Sequence, residues 1–291
     1  MFHRVETYDD RDGALKARRI SASRAAGILG KSPWSSPYSV WAEMTGRLPD
    51  SKANPIRFRV GHALEALIGE LYEEHTNREV FPEPQNQIQV HPVYPYLTCM
   101  LDFTAIDYQK GKGVLDAKTA IISKADEWET GCPEQYRIQL QFQMLCVGRK
   151  WGSLAVLVGN NSFKWIDVER DDEFIEGALP RFHQFWVCVQ NDIAPPASWQ
   201  DADVLAQVYP QENGEVIELP ADLFQTIDEI RQEAVELASF NTQSKDMADN
   251  VIKQYMGEAE TALLPGIARY TWKVQPTSNG GLARVFRRVS L

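Results

Sequence analysis

Two carboxylates and a lysine stand at a spacing that suits metal-assisted chemistry. Asp102 lies within the apolar segment 97–107, while Asp116 and Lys118 lie two residues apart within segment 113–119. Both segments read as strands joined by a turn. Residues two apart on a strand share a face, so Asp116 and Lys118 emerge together. A hairpin about this turn pairs positions whose numbers add to 218–220, which brings Asp102 opposite Asp116 or Lys118.

The side chains of this cluster need a cation between them. Two neighbouring carboxylates repel each other and resist ionisation unless a positive charge separates them. A hard divalent ion held by oxygen ligands, Mg²⁺ or Mn²⁺, resolves that conflict. The adjacent Lys118 can then activate a water molecule or offset charge on a phosphate. The alternative is a ladder of surface ion pairs, because short patterns of this type often occur by chance.

Polar residues on two predicted helices are placed to extend the cluster. Glu65 lies at the border of the apolar stripe of an amphipathic helix over 60–76, from which it can reach the sheet edge. Tyr136, Gln139 and Gln143 fall at i, i+3 and i+7 of a helix that begins after a proline. Their phenol and amides suit holding a water molecule or a phosphate oxygen. The alternatives are a solvated glutamate and an ordinary exposed helix surface.

Basic residues precede a short helix near the N-terminus. Segment 20–30 is typical of a serine-capped helix that opens at Ser21 or Ser23. The stretch Arg11–Arg24 carries five basic residues against one Asp. An anion beside this helix N-terminus is therefore physically reasonable.

The composition of the chain argues against several classes of protein. Among 291 residues, 44% are hydrophobic and no run of 18 or more apolar residues occurs, so we expect no membrane association. The N-terminus mixes both charges without an apolar core, which argues against a secretory signal. Four cysteines without a CxxC pair indicate reduced thiols, as in a cytoplasmic protein, rather than a disulfide framework or a structural zinc site.

The net charge of −10 is concentrated in one segment. Residues 201–260 contain fourteen Asp or Glu and three Lys or Arg, which gives −11 and leaves the rest of the chain at +1. A polyanionic partner is therefore compatible with the acidic total.

The order of elements predicts a mixed α/β fold, in which helices flank a mixed central sheet. The Pro-rich segment 80–96 predicts one strand at most. We expect a core domain over residues 1–200 and an acidic helical extension over 201–291 that ends in a short β element. Within the extension, the periodicity favours helices over 221–239 and 245–263.

Six pieces of the sequence resemble one known family when they are taken in order. The pieces are ISASRAAGILG (20–30), SPYSVWAEMTGR (36–47), GHALE (61–65), MLD (100–102), LDAKT (115–119) and PEQYRIQLQ (133–141). The pattern is similar to that of the PD-(D/E)XK nucleases, and among them to the YqaJ-type viral recombinases of the phage lambda exonuclease family. The resemblance covers about residues 18–195, and the acidic tail with its final TWK and RVFRR also looks like phage-type members.

The resemblance implies a role for each residue of the cluster. Leu101 departs from the proline of the nominal motif, and Asp116 stands where glutamate is commoner, but neither change removes a required group. The implied catalytic residues are Asp102, Asp116, Lys118, Glu65, Gln139 and Tyr136. The implied metal ligands are Asp102, Asp116, Glu65 and the carbonyl of Ala117.

The resemblance also implies contacts with DNA. Pockets for a 5′-phosphate in the family use a basic residue shortly before the capping serine, which Ser23 matches, and Lys124 follows the catalytic lysine closely enough to reach phosphate. Trp34, in the turn after the first helix, is placed to wedge into a DNA end. Met100 stands where relatives often carry a serine that contacts phosphate. The candidate basic residues are Lys16, Arg18 and Arg19.

The implied activity is that of a Mg²⁺-dependent 5′–3′ exonuclease, with Mn²⁺ as a substitute. It would act on linear double-stranded DNA and leave 3′ single-stranded overhangs for phage-type recombination by single-strand annealing. The implied partners are DNA ends, further copies of the chain in a ring-shaped trimer and a single-strand-annealing protein, in a phage, prophage or bacterial host. A structure-specific endonuclease of the same fold and a non-catalytic module that binds DNA ends remain alternatives.

Overall fold

The chain folds into two compact units that divide after Glu212. The boundary expected from composition lies after residue 200. It falls later because Asp201 is buried in the first unit, where it accepts hydrogen bonds from Ser36 and Ser198. The computed structural model describes residues 4–7, 19–48, 55–85, 87–129, 131–159, 161–212, 214, 216–276 and 281–290.

The first unit contains two sheets and six helices among its described residues. The strands are β1 (Arg4–Thr7), β2 (Ile20–Ser21), β3 (Glu79–Pro82), β4 (Gln87–Val90), β5 (Leu97–Cys99), β6 (Phe103–Asp107), β7 (Gly111–Ala120), β8 (Trp151–Val158) and β9 (Ser162–Glu169). The helices are α1 (Ala25–Ile28), α2 (Pro37–Met44), α3 (Pro55–Thr76), α4 (Glu134–Val147), α5 (Asp172–Gln190) and α6 (Ala202–Val208).

The central sheet has the order β3-β6-β7-β8-β9 and is mixed. Strand β7 runs antiparallel to β6 and parallel to β8, and α4 forms the crossover between the two parallel strands. The predicted mixed α/β fold is therefore confirmed. Phe103 pairs with Leu115, a register in which paired numbers add to 218, as one of the predicted hairpin registers requires.

The expected single strand over 97–107 is wrong, because the segment divides between two sheets. Strand β5 belongs to a four-stranded sheet of order β1-β4-β5-β2, whereas β6 belongs to the central sheet. The apolar run contains no glycine or proline at the break, so periodicity gives no sign of it. As a result Asp102 lies immediately before β6, where its carbonyl accepts a hydrogen bond from the Glu83 amide, rather than in mid-strand.

The two faces of β7 belong to two different apolar cores. Leu115 packs with Ile68 and Tyr72 of α3, whereas Val114 belongs to the larger core that α4 covers. Because side chains alternate along a strand, Asp116 and Lys118 share the face of Val114 and point towards α4. Gly69 allows α3 to approach the sheet closely, since a Cβ there would lie 2.9 Å from the Phe103 ring.

The predicted start of α4 after a proline is confirmed, and two local expectations are wrong. Helix α4 ends at Gly148, which adopts the left-handed conformation with φ of 68°. The segment 80–96 forms two strands rather than one, because β3 is an edge strand and tolerates Pro82 at its end. Segment 20–30 forms a 3-10 turn (Ala22–Arg24) before the one-turn α1, without a serine cap. Helix α5 continues through Pro180.

The second unit is a long helix followed by a small sheet. A single helix, α7 (Ala221–Met256), replaces the two expected helices, because no glycine or proline interrupts the chain between them. Strands β10 (Thr261–Leu264), β11 (Ala268–Pro276) and β12 (Leu282–Ser290) form an antiparallel sheet in that order. Among the described residues, no helix combines the length and apolar character needed to cross a membrane.

Candidate active site

A cavity of about 990 Å³ in the first unit brings most of the predicted site residues together. Its walls come from the start of β6, the middle of β7, α3, α4 and the 3-10 turn before α1. The predicted residues that line it are Ser23, Trp34, Glu65, Asp102, Asp116, Ala117, Lys118 and Gln139.

Asp116 is held by partners on both of its carboxylate oxygens. The side chain is 1% exposed. Its Oδ1 accepts hydrogen bonds from Gln139 Nε2 at 3.1 Å and from Gln143 Nε2 at 3.0 Å. Its Oδ2 forms an ion pair with the Lys118 ammonium. The orientation of this carboxylate is therefore fixed by α4 on one side and by its own strand on the other.

Asp102 completes a pair of neighbouring carboxylates. Its Oδ2 accepts a hydrogen bond of 2.8 Å from the Ala117 amide, which ties it to β7. Burial raises the pKa of Asp102, and the charge of Asp116 raises it further, while Lys118 and the Ala117 amide lower it. The pKa of Asp102 lies well above its ordinary range, which is the mutual resistance to ionisation expected of adjacent carboxylates.

Lys118 supplies a positive charge that interacts with both acids. Burial lowers its pKa, but Asp116 and Asp102 raise it by more, so the side chain remains an ammonium. Its Nζ lies 5.4 Å from the centre of the Tyr136 ring, which stacks on Trp128 at 5.6 Å. Tyr136 therefore supports Lys118 from the side and is not itself part of the cavity wall.

Glu65 reaches the cavity from the opposite face of the sheet. Helix α3 carries it to the edge, as its place beside the apolar stripe predicts. Its charge is among those that raise the pKa of Asp102. Its Oε2 lies 3.1 Å from His62 Nδ1 one turn earlier in the same helix.

The donor set fits a hard divalent cation bound partly by solvent or substrate. Within the described part of the chain, no three His, Cys, Asp or Glu side chains gather as a complete metal-binding group. Asp102 and Asp116 offer two carboxylates that repel each other when both are ionised. The carbonyl of Ala117 lies between Asp116 and Lys118 in the same strand. Mg²⁺ commonly takes only one or two carboxylates and fills its octahedron with water and phosphate oxygens. These residues fit that pattern.

The other end of the cavity is lined by hydroxyls, an aromatic ring and an arginine. Ser21 and Ser23 stand with their hydroxyl oxygens 3.0 Å apart. Trp34 is 65% exposed, and its ring lies 6.1 Å from that of Tyr136. Arg24 also lines the cavity, with its guanidinium 3.8 Å from the Glu43 carboxylate. The sequence pattern did not single out Arg24, although it directly follows the predicted serine.

Two of the other predicted phosphate contacts, Arg19 and Lys124, do not line the cavity. Arg19 donates a hydrogen bond of 2.8 Å to Glu6. Lys124 is exposed and pairs with Glu127 one turn away. Lys16 and Arg18 lie outside the described residues.

Gln143 contributes more than its sequence pattern indicated. The polar stripe of α4 to which it belongs predicts contact with a water molecule or a phosphate oxygen, not with Asp116. The structure buries Gln143 and directs its Nε2 to Asp116 Oδ1 and, at 3.3 Å, to the Met100 carbonyl. The i+4 spacing from Gln139 was the available sign, since both amides then reach the same carboxylate.

Comparison with known proteins identifies the part of the chain that carries this cavity. Residues 13–150 match the model of the YqaJ-like viral recombinase domain. This segment is similar to a YqaJ-like viral recombinase domain, and we refer to residues 13–150 as the recombinase-like domain. It contains every acid, amide and lysine of the cavity described above. The uncharacterized protein YqaJ of Bacillus subtilis strain 168 is 29% identical over 272 residues, which cover 90% of this chain and 83% of that protein.

Solved structures resemble part of the chain at lower similarity. A crystal structure of an alkaline exonuclease from Laribacter hongkongensis gives a TM-score of 0.49 with 20% identity, and the match covers 62% of this chain and 94% of that one. A phage-related exonuclease from Haemophilus somnus 129PT gives a TM-score of 0.43 with 11% identity over 60% of this chain and 96% of that one.

Proposed function

We propose that the chain is a Mg²⁺-dependent DNA exonuclease that digests linear duplexes from the 5′ end and leaves 3′ single-stranded overhangs. The observation that carries the proposal is the convergence of Asp102, Asp116 and Lys118 in one cavity of the recombinase-like domain. Two acids and a lysine around a cavity large enough for a nucleotide suit phosphodiester hydrolysis. Recombination by single-strand annealing would consume the 3′ overhangs.

The carboxylates would hold the metal and the amides would hold the carboxylates. Asp102 and Asp116 would bind Mg²⁺, or Mn²⁺ in its place, with Glu65 and the Ala117 carbonyl as further oxygen donors. The bound ion would supply Lewis-acid polarisation of the phosphodiester and a lowered pKa for attacking water. Gln139 and Gln143 would keep Asp116 in one orientation as the substrate enters.

Lys118 would act on the reacting phosphate, and Tyr136 would position Lys118. With a phosphate present, the Lys118 ammonium would turn from Asp116 to a non-bridging oxygen and offset the charge that grows there during attack. Tyr136 limits the positions available to Lys118 because its ring packs against the ammonium. Water would attack phosphorus in line with the leaving 3′ oxygen.

The hydroxyl and arginine end of the cavity would receive the 5′ terminus. Ser23 and Arg24 would bind a terminal phosphate, and the exposed Trp34 ring would stack on or wedge beside the terminal base. Lys16, Arg18, Arg19 and Lys124 remain candidates for contacts along the DNA. We also propose that copies of the chain assemble as a ring-shaped trimer and deliver the 3′ strand to a single-strand-annealing protein.

Digestion of a linear duplex labelled at its 5′ or 3′ ends tests this function. We expect early release of the 5′ label with Mg²⁺, none with EDTA, and an intact closed circle. Asp116→Asn should lower the rate by about two orders of magnitude or more. Asp126→Asn, which removes an exposed acid, should leave the rate unchanged. Cutting of the circle would indicate an endonuclease, and end binding without cleavage would indicate a non-catalytic module.

A further inference from the structure

The small sheet of the second unit has a charge opposite to that of the helix before it. Residues 261–291 contain five Arg or Lys and no Asp or Glu, whereas residues 213–260 contain eleven acidic and three basic residues. The charge therefore changes from −8 to +5 within one unit. A cluster of one sign with no counter-charges repels itself, so it favours a ligand of the opposite sign.

Strand register gathers three of these cations on one face. Arg269 and Lys273 lie four residues apart on β11, and Arg287 of β12 pairs with Thr271 midway between them. Paired residues of an antiparallel sheet lie on the same face, and diagonal neighbours are about 7 Å apart. Arg287 is therefore a diagonal neighbour of both other cations. All three side chains are exposed.

Most of the charge on this face is not neutralised within the described residues. Arg269 forms no ion pair with any carboxylate that the structure describes, and Arg287 donates to the neutral Gln275 Oε1 at 3.0 Å. Lys273 pairs with Glu260. By contrast, arginines of the first unit such as Arg47 and Arg78 are held by carboxylates.

The aromatic residues of the sheet lie on its other face. Tyr270 stacks on Phe286 with ring centres 5.8 Å apart, and the Arg284 guanidinium covers the Trp272 ring at 3.6 Å. These rings pack against the chain itself and are half-buried. The exposed face therefore offers charge rather than a surface on which bases could stack.

We propose that the face formed by Arg269, Lys273 and Arg287 is a second DNA-binding surface that contacts the phosphate backbone without reading sequence. The choice of DNA over an acidic polypeptide rests on the proposed function. Phosphate contacts supply most sequence-independent affinity for DNA, and a ribbon of two long antiparallel strands such as β11 and β12 has the dimensions of the major groove.

The proposal is tested by the salt dependence of binding to a closed circular duplex in EDTA, which presents no ends and cannot be cleaved. Arg269→Gln with Arg287→Gln should weaken binding about tenfold at moderate salt and reduce the slope of log K against log salt by about 2. Arg231→Gln with Lys245→Gln removes the same charge from α7 and should leave both quantities unchanged.

Equal affinity and slope for the two double variants would overturn the proposal. So would a concentration-dependent assembly of the wild-type chain that Arg269→Gln with Arg287→Gln dissolves without weakening DNA binding, because the face would then bind the acidic helix of a second copy. Failure of the proposed function is a separate result, because it appears in the digestion of the linear duplex. Asp116→Asn would then leave that digestion unchanged, and the salt dependence of binding would not be affected by this outcome.

Discussion

At the scale of residues, the cavity is organised around one carboxylate. Asp116 receives two amide hydrogen bonds and one ammonium, while Asp102 is tied to the backbone of the same strand. Removing a group that holds a metal-binding side chain commonly lowers metal affinity by about 10- to 100-fold. The amides of α4 are therefore expected to matter for metal dependence and not only for packing.

Gln143→Met tests this positioning role, because it keeps the length of the side chain and removes the amide. We expect the Mg²⁺ concentration for half-maximal cleavage to rise about tenfold or more. The free energy of unfolding should fall by about 1–3 kcal/mol, since the Met100 carbonyl loses a partner.

Gln141→Met is the matched control for that variant. Gln141 is buried in the same helix but donates to the Glu169 carbonyl and accepts from the Asp171 amide, away from the cavity. It should lose stability without a change in Mg²⁺ dependence. Equal shifts in Mg²⁺ dependence for both variants would show that Gln143 acts only through stability.

The sequence allowed the residues of the site to be selected but not all of their surroundings. Asp116 and Lys118 could be predicted because alternation along a strand fixes their common face. Arg24 could not, because a side chain within a three-residue 3-10 turn has no periodicity to mark its direction. Gln143 was visible in the stripe, yet only the packed helix shows that it reaches Asp116.

At the scale of elements, an arginine that follows α3 binds acids of strands β6 and β9 of the central sheet. Arg78 Nε donates to Asp107 at 2.8 Å, and its terminal nitrogens bind both oxygens of Asp167. The guanidinium also lies over the Trp151 ring at 4.8 Å. Burial raises the pKa of Asp167, but Arg78 and Ser153 lower it by more, so its pKa is below the ordinary value.

The stability of the first unit should therefore decline in acid, and Asp167→Asn should reduce that decline. A carboxyl with a depressed pKa contributes stability above its unfolded pKa and loses it as pH falls through its folded pKa. We expect Asp167→Asn to lower the free energy of unfolding by about 2 kcal/mol at neutral pH. Denaturant unfolding from pH 7 to pH 3 measures both quantities. A wild-type pH slope retained in full by the variant would contradict this role.

Elements with clear ends were predictable, and elements without them were not. Helix α4 has a proline before it and a glycine after it, so its bounds follow from local chemistry. The segment between β5 and β6 has no glycine or proline to mark the break. Both strands are buried and apolar there, so the hydrophobic pattern does not separate them. The long α7 is continuous where the sequence predicts two helices, because no glycine or proline lies between them to end the first.

At the scale of the whole molecule, composition and structure divide the chain at nearly the same place. The cavity lies in the first unit, within residues 13–150, which carry a net charge of +2 although the whole unit carries −7. The second unit concentrates the acidic charge on α7 and a basic face on its sheet. The acidic total therefore says little about affinity for DNA, because opposite charges occupy different surfaces. Only strand register, which the sequence does not specify by itself, shows which cations share a face.

Binding of Mn²⁺ to the full chain, followed by electron paramagnetic resonance, tests the central claim most directly because it needs no turnover. The wild-type chain and Asp126→Asn should bind Mn²⁺ with the same affinity. Asp102→Asn and Asp116→Asn should each weaken binding about tenfold or more, since each removes a carboxylate ligand. Equal Mn²⁺ affinity in all four proteins would contradict the account, because the paired acids of the cavity would then not be a metal site.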